Sequence, residues 1–330
     1  MDAPYLGQLQ DLPSELVFIM GCHRSGTSML YHLLAYTGQL DYVSAYDIIK
    51  YDELLHNRIT AREAEVKAGL QRVLQQEATR GLDDLPVGTD FPEEYRFLMP
   101  QEAPAVVFNI KKRLEKLFFA PHLTPGTLDA FMLMCRKKRF LAGADRPLVL
   151  KNPADYYFNF WAVHQMLPRA KFIFIHRHPL PMFNSYLHGF PAILTQRSNY
   201  AALLDKRYDA LFRRLPLRRQ LFLAVFRSNM MSRLLLTRLV ESFQYYMAHI
   251  ARLPPERYVS VRYEDLCADP AGCLSGIGKQ LGFDLVPRVP AKFVAPRHLP
   301  IPERVKRHYA RRAGDLAPYL QHCQYDAWQE

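Results

Sequence analysis

The stretch ELVFIMGCHRSGTSMLYHLLAYTG, residues 15–38, constrains the fold more than any other part of the chain. Its first seven residues are a short apolar run with β-branched and aromatic members, the pattern of a strand buried on both faces. Met29, Leu30, Leu33 and Leu34 then recur at helical spacing, and Gly38 is a natural stop. Between strand and helix, Gly21 and Gly26 flank a turn whose backbone N–H groups can converge on an anion, with Thr27 and Ser28 opening the helix. The natural ligand of such a loop is an anion with several oxygens.

Three further runs read as buried strands: PLVLK (147–151), KFIFIH (171–176) and YVSVRYE (258–264). Strands separated by helical patterns predict an α/β fold, a P-loop-type parallel β-sheet flanked by helices, with its ligand at the carboxyl ends of the strands. Residues 52–80 read as a polar helix and 104–140 as two helices broken near Pro121 and Pro125. Residues 200–250 are largely helical, with Met231, Leu234, Leu235, Leu239, Phe243, Tyr246 and Met247 as one buried stripe. Five prolines between Val286 and Pro302 predict a surface loop before a last helix. The expectation is a single domain over 1–330. Its nucleotide-binding core is drawn from 15–50, 145–190 and 255–285, and its mainly helical acceptor or lid regions are 52–140 and 190–250.

Hydrophobic residues at 49% and charged residues at 23% describe a folded chain rather than a disordered one. A net charge of +11 predicts attraction to polyanions, whether nucleic acid, an anionic membrane surface or a small ligand with several phosphates. The five cysteines are odd in number and lack CxxC spacing, which argues against zinc and redox sites and for a reduced, cytoplasmic setting. The N-terminus does not read as a signal peptide, and even LFLAVF at 221–226 is too short to span a membrane. The basic run RRLPLRRQLFLAVFR (213–227) reads first as an exposed amphipathic face and second as a membrane or acceptor contact.

The loop itself narrows the chemistry. In the nucleoside-triphosphate loop GxxxxGK[ST] a lysine stands where this chain has Thr27, which weakens kinase and ATPase readings. The phosphatase spacing of cysteine, five residues and arginine fails because Ser28 occupies the arginine position, so Cys22 is expected to be a structural thiol.

GCHRSGTSML resembles the 5′-phosphosulfate loop of the sulfotransferases that use 3′-phosphoadenosine 5′-phosphosulfate (PAPS), which reads PRSGTT or PKSGTT. KFIFIHRHPLPMFNSYLHG (171–189) resembles the family's 3′-phosphate segment, with Arg177 at the strand end and Ser185 eight residues later. PLVLKNP (147–153) resembles the KDP or KSP strand end of bacterial, carbohydrate and protein-tyrosine members, and RYEDLCADP (262–270) a later strand and helix in which Glu264 is structural. The matches run in order over about residues 15–283. His23, Asn152 and His178 depart from the usual proline, serine or aspartate, and aspartate.

The resemblance implies a bacterial, cytoplasmic, PAPS-dependent sulfotransferase working by in-line, metal-independent transfer to an acceptor hydroxyl. Arg24, Ser25, Gly26, Thr27 and Ser28, with Lys151, would hold the sulfonate and 5′-phosphate, and Arg177 and Ser185 the 3′-phosphate. The acceptor base would be Asp47, with His56 as its rival and Glu93 and Glu94 as lesser candidates. Arg297, His298 and Lys306 are candidates for further nucleotide contacts. The expected acceptor is a small molecule, lipid or carbohydrate, with no nucleic-acid partner and a peripheral membrane contact left open. The alternatives are a P-loop nucleotide kinase and a non-catalytic basic protein binding nucleic acid or membrane.

Overall fold

Leu16–Met20 (β1), Asp41–Tyr42 (β2), Leu148–Lys151 (β3), Lys171–His176 (β4) and Tyr258–Arg262 (β5) form one parallel sheet in the order β2-β3-β1-β4-β5. This is the arrangement in the computed structural model, which describes residues 1–9, 12–74, 85, 87–95, 125–156, 159–290 and 299–326. Four of the strands are the four apolar runs of the sequence. The edge strand β2 is only two residues long and gives no periodic signal of its own. From β1 the chain runs to the edge strand β2, returns to β3 beside β1, and then crosses to β4 and β5 on the other side, so the crevice at the carboxyl end of β1 lies where the direction of the crossovers reverses.

The register decides which side chains face which layer. Phe18 pairs with Leu150 and Phe172, and Ile19 with Lys151 and Ile173. Because successive side chains point to opposite faces, one face carries Phe18, Met20, Leu148, Leu150, Phe172 and Phe174, and the other Val17, Ile19, Val149, Ile173 and Ile175. The aromatic face is covered by the helices Pro125–Ala142, Phe160–Met166 and Asn229–His249, through ring contacts such as Phe18 with Phe131 and Phe174 with Phe160 and Tyr246. The aliphatic face is covered by Thr27–Tyr36 and Pro270–Leu281. Burial on both sides is why β1, β3 and β4 read as unbroken apolar runs. The same alternation puts Lys151 on the aliphatic side, at the end of β3, toward the start of helix Thr27–Tyr36.

The helical regions are finer-grained than their sequence reading. The expected helix at 52–80 is two over its described part, Leu54–Ile59 and Glu63–Leu74, parted where Ala61 takes a φ of 57° that a continuing helix cannot accommodate, and residues 75–80 lie outside the described residues. Of the two helices expected at 104–140, Pro125–Ala142 is one, and residues 104–124 lie outside the described residues. In Asn229–His249 the expected stripe is buried at Met231, Leu235, Leu239, Phe243 and Tyr246 and half-buried at Leu234 and Met247. The single last helix is corrected to two, Glu303–Ala310 and Ala313–His322. Breaking between them lets both Tyr309 and Tyr319 reach the core, where Tyr319 stacks on Phe243 with ring centres 3.8 Å apart. Among the described residues no helix is long and apolar enough to cross a membrane.

Candidate active site

The glycine-bounded loop leaves β1 and turns sharply because it has no room to do otherwise. A Cβ on Gly21 would sit 2.6 Å from the Ser25 hydroxyl and 2.8 Å from the Ile175 side chain. Gly26 has φ 101°, and a Cβ there would overlap the Tyr263 ring. The Ser25 N–H and hydroxyl both donate to the Cys22 carbonyl, at 3.1 and 2.8 Å, which closes the turn. Cys22 is buried with its Sγ 3.6 Å from the Ser242 hydroxyl, in keeping with a structural thiol. Helix Thr27–Tyr36 starts immediately after the loop, so its first-turn amides, which have no intrahelical acceptor, point to the carboxyl end of the sheet.

Arg24 is the loop's one non-glycine residue in the left-handed region, with φ 71°, a conformation that costs of order 1–3 kcal/mol. Two contacts hold it there. The Arg177 guanidinium donates to the Arg24 carbonyl at 2.9 Å, and Arg24 Nε donates to the Ser185 hydroxyl at 3.0 Å. Arg177 itself stacks over the Tyr263 ring, 4.3 Å from its centre. Arg24 thus links Arg177 to Ser185, and the loop, the end of β4 and the helix Pro179–Thr195 join in one cluster of two guanidiniums and a hydroxyl.

That helix is started by His178, whose Nδ1 accepts from the Leu180 N–H at 3.2 Å, with Pro179 at the first helical position. Burial lowers the His178 pKa, keeping the ring neutral and able to accept. An imidazole thus does the capping work open to the aspartate of the resembled pattern. Glu264 is structural, as expected: its carboxylate accepts from the His178 N–H at 3.3 Å and the Tyr325 hydroxyl at 2.6 Å.

On the other side of β1, Lys151 is 2% exposed, and its Nζ donates to Ser28 Oγ and to Glu94 Oε1, both at 2.9 Å. The cation missing at position 27 is therefore supplied from the neighbouring strand. Residues Phe91 to Tyr95 reach this spot because the Glu93 N–H donates to the Val43 carbonyl and Pro92 bridges Ser44. Behind Glu94, buried Asp155 accepts from Asn152 and from the Tyr95 hydroxyl. Burial pushes the Asp155 pKa up to about 7, and the nearby Glu94 charge acts in the same direction.

The sequence's two leading base candidates each have hydrogen-bond partners of their own. Asp47 Oδ2 accepts from the Ser44 N–H, the Ser44 hydroxyl and Lys138, at 2.7, 2.9 and 2.6 Å, as the third helical residue of a capping box. His56 has its Nδ1 3.4 Å from the Tyr5 hydroxyl and its N–H on Asp2. Glu93 accepts from the Tyr200 hydroxyl at 2.6 Å. Lys306 pairs with Glu303, while Arg297 and His298 lie outside the described residues. A cavity of about 20 Å³ lies beside His23, against Met182, Tyr186, Leu235 and Arg238.

A parallel sheet with a glycine-bounded anion loop at the end of its central strand defines a P-loop-type α/β protein. The family model described as the Sulfotransferase family matches residues 16–225 and 218–287, and the chain belongs to that family. It is 23% identical, over 281 residues, to the omega-hydroxy-beta-dihydromenaquinone-9 sulfotransferases Stf3 of Mycobacterium bovis and Mycobacterium tuberculosis. The match takes in 81% of this chain and 62% of those proteins, so the chain spans about 62% of the length of these curated relatives. The fold is also that of sulfotransferase STF9 from Mycobacterium avium, with TM-score 0.61, 16% identity and coverage of 100% of this chain and 81% of that one. Sulfotransferase STF1 from Mycobacterium tuberculosis gives TM-score 0.53 at 14% identity, covering 98% and 78%.

Proposed function

We propose that this sulfotransferase takes its sulfuryl group from PAPS and passes it in line to an acceptor hydroxyl. The observation that carries the reading is the meeting of Arg24, Arg177 and Ser185 beside a loop whose other end is touched by Lys151. Two anion positions are thereby available, each lined by cations and hydroxyls, and a donor with phosphates on both the 3′ and 5′ oxygens fits them. The narrow turn at Gly21 and Gly26, where no Cβ has room, suits close backbone approach to the 5′-phosphate.

In this reading Ser25, Thr27, Ser28 and the helix amides hold the 5′-phosphate, and Arg177 and Ser185 bind the 3′-phosphate. Arg24 and Lys151 offset the charge that gathers on the bridging oxygen as its bond to sulfur breaks. These two cations supply the charge stabilisation, so the transfer is proposed to need no metal ion. The acceptor oxygen forms the new bond to sulfur and gives up its proton to a carboxylate. Glu94 is the better choice for that base, because it shares Lys151 with Ser28, whereas the Asp47 carboxylate accepts from Ser44 and Lys138, neither of them in the loop. The named acceptor of the curated relatives is a hydroxylated menaquinone, and we extend to this chain the class of hydroxylated apolar lipid.

The test is calorimetric. The product nucleotide, adenosine 3′,5′-bisphosphate (PAP), should bind at least tenfold more tightly than ADP, in EDTA as well as in magnesium. Arg177→Glu should abolish that preference while leaving ADP binding little changed. Equal affinities of the parent protein for the two nucleotides would overturn the assignment.

A further inference from the structure

The segment from Ala210 to Val240 contains seven arginines and no aspartate, glutamate or lysine. The helices Lys206–Arg213, Pro216–Phe226 and Asn229–His249 carry it. Phe222, Leu223 and Phe226 anchor the middle helix in the core, and Arg219 ties it to the Leu194 carbonyl at 2.8 Å, on the helix that also bears Ser185. The outward side is unusual for a protein surface. Leu217 is 85% exposed, Leu221 61%, Met230 71% and Leu215 41%, and exposed Arg213, Arg214, Arg218, Arg227 and Arg233 lie among them. Of the eleven large hydrophobic side chains that stand exposed among the described residues, four fall within these sixteen positions, 215–230.

Apolar side chains ringed by cations, of which Arg213 is paired with Asp209, match an anionic bilayer: the leucines enter the acyl boundary and the guanidiniums meet lipid phosphates. Nucleic acid would use the arginines but has no place for four exposed aliphatic side chains, and an acidic protein partner offers no apolar layer of this reach. We infer that this face docks the protein on anionic membrane. The inference rests on exposure and charge and does not require the donor assignment above. If that assignment also holds, the surface sets the phosphate loop near a lipid acceptor, because the docking helices pack on the helix of Ser185 and on the cavity beside His23.

The experiment is vesicle flotation of the full chain, with phosphatidylcholine alone and with phosphatidylcholine containing phosphatidylglycerol. Binding is expected only with the anionic lipid and should weaken several-fold as salt rises from low to about 0.5 M, where screening is nearly complete. Leu217→Ser with Leu221→Ser should lower partitioning at least tenfold, and Arg214→Glu with Arg218→Glu should abolish it. Both double variants should keep PAP affinity and thermal midpoint, since these side chains are exposed and lie outside the loop cluster. Equal binding to both vesicle types, no binding at low salt, or binding that ignores the leucine substitutions would overturn the inference. The last outcome would identify an electrostatic surface of the nucleic-acid or acidic-protein kind. Loss of PAP binding in the parent with retained flotation would defeat the donor assignment alone.

Discussion

At the scale of single residues, Lys151 shows why a buried charge is worth keeping. Its ammonium is tolerated at 2% exposure because Glu94 and the Ser28 hydroxyl surround it, and removing either partner of such a pair leaves an uncompensated charge. Glu94→Gln keeps the shape and a hydrogen bond but removes both the basicity and the charge that compensates Lys151, so turnover is compared per folded molecule, with urea unfolding measured alongside. With Glu94 as base, turnover should fall by roughly 10²–10⁴, while PAP affinity in calorimetry changes little. Asp47→Asn should do the reverse. It weakens the contact to Lys138 and the capping box, costing about 1–3 kcal/mol in urea unfolding, with turnover per folded molecule retained. If Asp47→Asn is inactive yet folded while Glu94→Gln turns over normally, the base is Asp47 as the sequence suggested.

Among the elements, the loop at 21–26 depends on a partner far along the chain. Gly26 is needed both for its φ of 101° and because the Tyr263 ring, at the start of the helix Tyr263–Ala268 after β5, fills the space where a side chain would go. The same ring supports Arg177. Gly26→Ala therefore strains the backbone and displaces Tyr263, and we expect a loss of about 1–3 kcal/mol together with at least a tenfold loss of PAP affinity. A variant of unchanged thermal midpoint and PAP affinity would show that the loop is not held this way. Tyr263 lies in the RYEDL segment, so this element-level coupling gives that segment a physical task at the site.

For the molecule as a whole, buried titratable groups set opposing pH slopes. Asp155 has its pKa raised from 3.8 to about 7 by burial. The stability it supplies is therefore complete below about pH 4 and is lost as pH rises through about 7. His176, in the core against Tyr246 and Tyr319, has its pKa lowered from 6.5 to about 3 by burial, so stability falls as pH drops below 6.5 toward 3. Asp155→Asn can still bond Asn152 and Tyr95 but no longer titrates. The stability of the parent relative to this variant should be about 2 kcal/mol greater at pH 5 than at pH 7.5. Urea midpoints at the two pH values measure the difference, and a constant gap would mean that Asp155 stays ionised in the fold.

The sequence by itself determined the central strands, the glycine-bounded loop and the helix behind it, because each is written in consecutive residues: apolar runs for strands buried on both faces, spacing of three and four for the helix. Arg177 and Ser185 were legible for the same reason, lying on one strand end and the next helix. Only the tertiary structure decided what those residues touch. Ser28 meets Lys151 across 123 residues of chain, Lys151 meets Glu94 across 57, and Arg24 meets Ser185 across 161. In a parallel sheet the crossovers bring strand ends together regardless of their separation in sequence, so the partners of a charge cannot be read from its neighbours. That is also why local spacing pointed to Asp47, whose carboxylate caps its own helix, whereas Glu94 comes to notice only through its contact with Lys151 across the fold, and why a two-residue edge strand and a break between the last two helices left no mark in the periodicity.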